Sequence, residues 1–167
     1  MLLDVSGDED ALERRRAASG LSIDEEGRFL HRGEPIFHAR TLEVLWRSLH
    51  RTSDGRWAVR VGREVAYVDA GETPYAVRAV AQPERGDDGA PWLLLTDGTR
   101  ERLAPETLAI GADGVLRCAV KGGQRARFTR AGQVALGALV DEDPPGSERF
   151  VITLSGRRWR IPSAGRG

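Results

Sequence analysis

The sequence is almost without lysine: Lys121 is the only one among 25 basic residues, and arginine takes every other position. It has no net charge either, because 25 acidic residues balance the 25 bases. A general polyanion binder or membrane-surface domain carries a basic excess, so this balance argues against both. Cysteine is reduced to Cys118, which excludes an internal disulfide and leaves nothing pointing to an oxidising compartment. No apolar run approaches the roughly 20 residues that span a bilayer. The opening Met1-Leu2-Leu3-Asp4, followed by Asp8, Glu9 and Asp10, lacks the basic-then-apolar order of a signal peptide. The expectation is a soluble cytoplasmic protein. What the chain does have suits a fold: 167 residues, 40% of them apolar, the reverse of a disordered composition. A chain of this size buries about 70% of its unfolded surface, enough for one core or two small ones.

Alanine, glycine, arginine and valine dominate, the usage of a GC-rich genome. Arginine differs from lysine in its bidentate fork. A bias spread over the whole chain is composition first and recognition second.

Residues 1–20 are polar, a tail or a short surface helix over Asp8 to Ala18 that Gly20 stops. Ile23 and Phe29 flank a turn, and Ile36 and Phe37 follow Gly33 to Pro35, as in two short strands. Leu42, Leu45, Trp46 and Leu49 then make one helical stripe, with Glu43 and Arg47 four apart on the other face. Trp57, Val59 and Val61 alternate as a strand. A three-residue turn over Gly62 to Glu64 would set Val65 and Tyr67 against Val61 and Val59. Tyr75 to Ala81 is a further strand. Residues 82–91, with two prolines and two glycines, look like a mobile loop or link.

Three hairpins are expected beyond that loop. Asp97-Gly98 joins the first. Lys121-Gly122-Gly123 joins the second, with Cys118 facing Ala126 and Arg117, Arg125 and Arg127 outside. Ser155-Gly156 joins the third, pairing Phe150, Ile152 and Leu154 with Trp159 and Ile161. Thr129 is a plausible N-cap for a second helix, with Leu136, Leu139 and Val140 on its apolar side. Gly132 and Gly137 would let that helix approach a neighbour closely.

The same order of elements occurs twice. Phe37 opens a helix that leads to the strand Arg56 to Val61; Phe128 opens a helix that leads to Arg149 to Leu154. An Ile-x-x-x-Gly element precedes each, Ile23 to Gly27 and Ile110 to Gly114. Two copies imply a duplication, not a solenoid. The expected fold class is α+β: two related sub-domains from an internal duplication, each a helix packed on a small antiparallel sheet. They would span 21–81 and 92–162, with 82–91 between them and a tail at 163–167.

Several stretches resemble a bacterial family known as domain-of-unknown-function family 1285. They are Ile23 to Phe29 with Gly33 and Ile36, Leu42 to Leu49, Asp54-Gly55-Arg56-Trp57, Thr73 to Val77, and Ala126 to Val140. The resemblance covers roughly 21–162. It implies two similar α+β sub-domains and a ligand-binding or signalling role, with no established activity. Val61-Gly62-Arg63-Glu64 replaces the family's Thr-Pro-x-Glu turn, so Glu64 alone matches there.

Enzyme signatures are missing: no G-x-S-x-G elbow, no phosphate-binding G-x-x-x-x-G-K-S/T loop, no H-E-x-x-H. His31, His38 and His50 are scattered and lack a cysteine partner, so neither a metal nor another cofactor is expected. A cleft between sub-domains is the expected place for a ligand, with Asp24, His31, Arg40 and Glu64 as candidate lining. The other candidate is an anion patch of Arg117, Lys121, Arg125, Arg127, Arg158 and Arg160, where Lys121-Gly122-Gly123 could form an N–H nest. Against it, outward strand positions must be polar, and Asp141 to Asp143 and Glu148 would neutralise much of the charge. Aromatics on buried strand faces argue against nucleic acid. The expected function is a non-enzymatic binding or regulatory module for a small molecule or protein. The alternatives are a small enzyme acting on an anionic substrate through a pair such as His31 with Asp24 or Glu64, or a nucleic-acid binder through the arginine face.

Overall fold

Short strands separated by turns are the commonest regular element of the chain, and they sort into two units in a computed structural model that describes residues 5–87 and 89–164. The first unit is Met1–Asp24 with Arg28–Glu72; the second is Thr73–Gly167, with which Glu25–Gly27 also group.

In the first unit, helix α1 (Val5–Ala17) has Asp8 in its first turn and Arg14 to Arg16 in its last, the charge order that suits the helix dipole. Strands β1 (Leu21–Ile23), β2 (Phe29–His31) and β3 (Glu34–Pro35) form one meander. Helix α2 (Ala39–Ser48) follows, and then β4 (His50–Arg51), β5 (Trp57–Val61) and β6 (Glu64–Asp69) form another. A parallel pairing of β1 with β6, Leu21 opposite Val68, joins the meanders into one six-stranded sheet. The His38 ring caps α2 by accepting from the Thr41 N–H. The expected stripe faces the sheet: Leu45 is buried, and Trp46 stands edge-on to Phe29 with ring centroids 4.7 Å apart.

The second unit repeats this path. Strands β7 (Tyr75–Ala81), β8 (Trp92–Leu95) and β9 (Arg100–Arg102) make the first meander. A short 3-10 helix, Pro105–Thr107, stands in the place of α2. Strands β10 (Ala109–Ile110), β11 (Leu116–Val120) and β12 (Gln124–Phe128) make the second. Again the first strand lies parallel to the last, β7 to β12, with Val77 opposite Phe128. Helix α3 (Arg130–Gly137) comes after the sheet, followed by β13 (Val140–Glu142), β14 (Phe150–Leu154) and β15 (Arg157–Ile161) as a separate three-stranded sheet. Leu93, Leu95, Phe128, Leu136 and Ile152 are among the buried residues of its core.

The α+β class and the related sub-domains therefore stand, with one parallel pair in each six-stranded sheet. The frame of the repeat differs from the expected one. The counterpart of β5 is β11, not β14, and the two helices occupy different stations in the order. The turns make the correspondence concrete. Thr52 N–H bonds Arg56 O and Gly55 N–H bonds Thr52 O; likewise Gly111 N–H bonds Val115 O and Gly114 N–H bonds Gly111 O. The sequence likeness of Ile23–Gly27 to Ile110–Gly114 is turn chemistry, since Gly27 and Gly114 both need positive φ.

Other expectations shift locally. Strand Tyr75–Ala81 belongs to the second unit because it pairs with β8 and β12, so residues 82–91 connect two strands of one sheet. The β5–β6 turn has two residues, not three: Val61 pairs with Glu64 and Arg60 with Val65, a one-residue slip that changes the face of every β6 side chain. Helix α3 ends before Val140, which opens strand β13.

Helix α3 is seated by its first turn. A register shift between Val77 and Ala79 marks a bulge in β7, and the Val77 carbonyl accepts from Thr129 N (3.0 Å) and Thr129 Oγ1 (3.1 Å). Thr129 Oγ1 in turn accepts from Gly132 N at 3.1 Å. A Cβ on Gly132 would overlap the Val77 carbonyl, whereas one on Gly137 would meet nothing within 4 Å. Gly132→Ala should accordingly cost about 1–3 kcal/mol, as overpacking against backbone does. Gly137→Ala should be neutral or stabilise by up to about 1 kcal/mol. Urea denaturation of both variants checks the pair; equal effects would contradict this seating of α3.

Candidate functional site

A cavity of about 850 Å³ lies wholly within the second unit. Its walls are the β10–β11 turn, helix α3, the β13–β14 loop and the end of β15. Each wall has a local reason for its position. Gln133, on α3, uses both ends of its side-chain amide: Oε1 accepts from Leu116 N and Nε2 donates to Gly114 O, both at 3.0 Å. The turn is thereby tied to the helix. On the opposite side, Glu142 organises the loop that follows it. Its carboxylate accepts from Gly146 N at 2.8 Å and Glu148 N at 3.3 Å, and Asp143 N donates to Arg149 O at 2.8 Å. Glu148 holds a positive φ of 56° in this loop.

Leu116, Val140, Phe150 and Ile161 supply apolar lining. The charged lining is Arg149 and Arg160 with Glu142 and Glu148. Among the described residues, neither arginine has an ion pair or a side-chain hydrogen bond, so ten guanidinium N–H donors of about five each remain for a ligand. A pocket of this size, mostly preformed and with a few convergent polar groups, has the dimensions of a small-molecule site.

Of the expected residues, only Arg160 lines this cavity. The rest of the anion patch is paired internally. Arg117 holds Asp113 in a fork, Nη1–Oδ1 at 2.9 Å and Nη2–Oδ2 at 3.0 Å. Lys121 Nζ lies 2.7 Å from Asp97, Arg127 lies 3.3 Å from Glu25, and Arg158 lies 2.5 Å from Asp143. Arg125 also has a side-chain or backbone partner of its own. The turn that could have formed an anion nest is filled by the chain itself, because Lys121 N donates to Glu101 Oε2 at 2.9 Å. Moreover, Arg117, Arg125 and Arg127 lie on β11–β12 while Arg158 and Arg160 lie on a different sheet. The patch does not assemble as one surface of free cations.

Asp24, His31, Arg40 and Glu64 all fall in the first unit, where the strand register separates them. His31 pairs with Leu21, which is level with Val68, so Glu64 lies four residues away, about 13 Å along the strand. Asp24 lies beyond the other end of β1 and is engaged by Arg28, Nε–Oδ2 at 2.8 Å. Arg40 is exposed at the start of α2. No His–carboxylate pair of the kind an acid–base enzyme needs arises from these four. His38 is a helix cap, and His50 Nδ1 is 2.8 Å from Ser48 O. Burial pushes the Cys118 thiol up to about 12, so it is no thiolate nucleophile. Among the described residues, no three His, Cys, Asp or Glu side chains group as a metal site, and no helix is long and apolar enough to cross a membrane.

The first unit's cavity, about 600 Å³, is bordered by Arg51, Arg56, Trp57 and Tyr67. Arg56 lies 3.8 Å over the Tyr67 ring and pairs with Glu13 at 2.5 Å and Asp54 at 2.6 Å. Its cation is thus already spent. Sequence reasoning missed Arg149, Gln133 and Glu142, the residues that shape the larger site. The Pro-Pro-Gly-Ser run before Arg149 was a visible sign of a tight loop, but not of what the loop encloses.

Two solved structures are similar in fold. A domain-of-unknown-function family 1285 protein from Silicibacter pomeroyi DSS-3 is 16% identical over 85% of this chain and 79% of its own, with a TM-score of 0.60. Another protein of that family, from Shewanella baltica OS155, is 16% identical over 68% of this chain and 87% of its own, with a TM-score of 0.49. No protein-family model matches the sequence, and no curated protein matches it. The structural neighbours are therefore family 1285 proteins, and at this identity the likeness is one of fold.

The Asp-Gly turns offer a test of the local electrostatics. The Thr52 hydroxyl, and then Arg56, hold the Asp54 carboxyl at about 2, down from 3.8. Folding therefore favours its charged form, a contribution complete above about 3.8 and lost as pH falls through about 2. The urea midpoints of the wild type and Asp54→Asn should differ near neutral pH and converge between about pH 4 and pH 2. A gap that ignores pH would contradict this.

Proposed function

We propose that this chain is a non-enzymatic binding module of the family 1285 kind, with its ligand site in the cavity of the second unit. The observation that carries this is the coincidence there of an 850 Å³ cavity, an apolar lining and two unpaired guanidiniums. In the same unit Arg117, Lys121 and Arg158 are held by the chain's own carboxylates, whereas Arg149 and Arg160 border a cavity with no ion pair among the described residues. The engaged or separated histidines and the buried thiol favour holding a ligand over transforming it. This reading agrees with the ligand-binding or signalling role that the family resemblance implies.

A thermal-shift screen of small metabolites should yield compounds that raise Tm, because binding to the native state alone stabilises by mass action. Ala112→Trp, on the exposed cavity rim, should fold normally yet lose that rise. Stabilisation that survives Ala112→Trp would place the site elsewhere.

A further inference from the structure

We infer that the cavity accepts a small monocarboxylate with an apolar body; this rests on the cavity being the ligand site. The hydrogen-bonding state of the lining decides the ligand's polarity. Gln133 is held in place by its bonds to Leu116 N and Gly114 O, which leave its neutral amide one N–H and one lone pair. Both oxygens of Glu142 accept from loop N–H groups. The charged lining groups still open to a ligand, among the described residues, are the guanidiniums of Arg149 and Arg160 and the carboxylate of Glu148. Donors outnumber acceptors heavily, so the ligand must bring acceptors, and an arginine fork fits the two oxygens of a carboxylate or phosphate.

Charge chooses between those two. Two arginines stand against Glu142 and Glu148, so the described lining has no net charge. A phosphate monoester brings close to two negative charges at neutral pH and would face both glutamates. A carboxylate brings one and meets less repulsion. The remainder of the ligand is set by Leu116, Val140, Phe150 and Ile161, which offer hydrocarbon.

Octanoate, octyl phosphate and 1-octanol, at concentrations below micelle formation, separate the contributions by isothermal titration calorimetry. Octanoate should bind most tightly, with octanol and octyl phosphate each weaker. Arg149→Ala combined with Arg160→Ala should raise the octanoate Kd by roughly tenfold or more, the loss of charge-assisted bonds, and leave octanol unchanged. Both arginines are exposed, so the variant should fold, and an unchanged far-UV spectrum verifies it. Octanol binding as tightly as octanoate, or octanoate ignoring the double substitution, overturns the carboxylate class. Octyl phosphate binding more tightly than octanoate overturns the single-charge argument. If octanoate fails while a screen compound is blocked by Ala112→Trp, the ligand class is wrong and the site is right. If octanoate fails and Ala112→Trp blocks nothing, both are wrong.

Discussion

The cavity depends on how closely α3 lies against β7. The Val77 carbonyl, where β7 lies parallel to β12, is taken by Thr129 with both its N–H and its hydroxyl. The helix then approaches so near that position 132 has no room for a side chain. From that seat, Gln133 reaches the β10–β11 turn and Leu136 fills the core without exposure. Had a larger residue stood at 132, the helix would lie further out and Gln133 could not span Leu116 and Gly114. One backbone contact thus sets a wall of the cavity.

Duplication and its breakdown together explain where the site arises. Both units share two meanders closed by a parallel strand pair, and both keep the same Asp-Gly turn, before β5 and before β11. In the first unit a helix fills the station between the meanders, but in the second only a 3-10 turn remains there. The second unit instead adds α3 and a three-stranded sheet after its last strand. The cavity lies where this addition meets the repeated β10–β11 turn. The repeated part supplies a rigid base and the unrepeated part supplies the arginines.

Local signals in the sequence proved legible where chemistry and geometry are short-range. The stripe of Leu42, Leu45, Trp46 and Leu49 made a helix, Thr129 capped another, and Lys121-Gly122-Gly123 set Cys118 against Ala126. What failed was long-range. The parallel pairing of Tyr75–Ala81 with Gln124–Phe128 leaves no mark on either strand, so β7 was assigned to the wrong unit. The Gly62-Arg63 turn was misjudged by one residue because Glu64 suits a turn or a strand end equally. The site was mostly hidden for the same reason. Arg160 is visible as an outward strand residue, and the acids of 141–148 announce a partner such as Asp143 for Arg158, but the pairing of Lys121 with Asp97 and of Arg127 with Glu25 can be seen only in three dimensions.

The arginine bias therefore has two meanings. Most of it is ordinary surface polarity, part of it held in ion pairs whose net worth is small. Arg149 and Arg160, without an ion pair among the described residues, border a cavity lined with hydrocarbon, and there charge has something to do. Amide chemical-shift mapping of the protein during an octanoate titration tests this most directly. The account predicts that the shifted resonances cluster at the β10–β11 turn, Gln133 and the Glu142–Arg149 loop, with Leu21–Asp69 unmoved. Shifts centred on Leu21–Asp69, or no shifts anywhere, would contradict it.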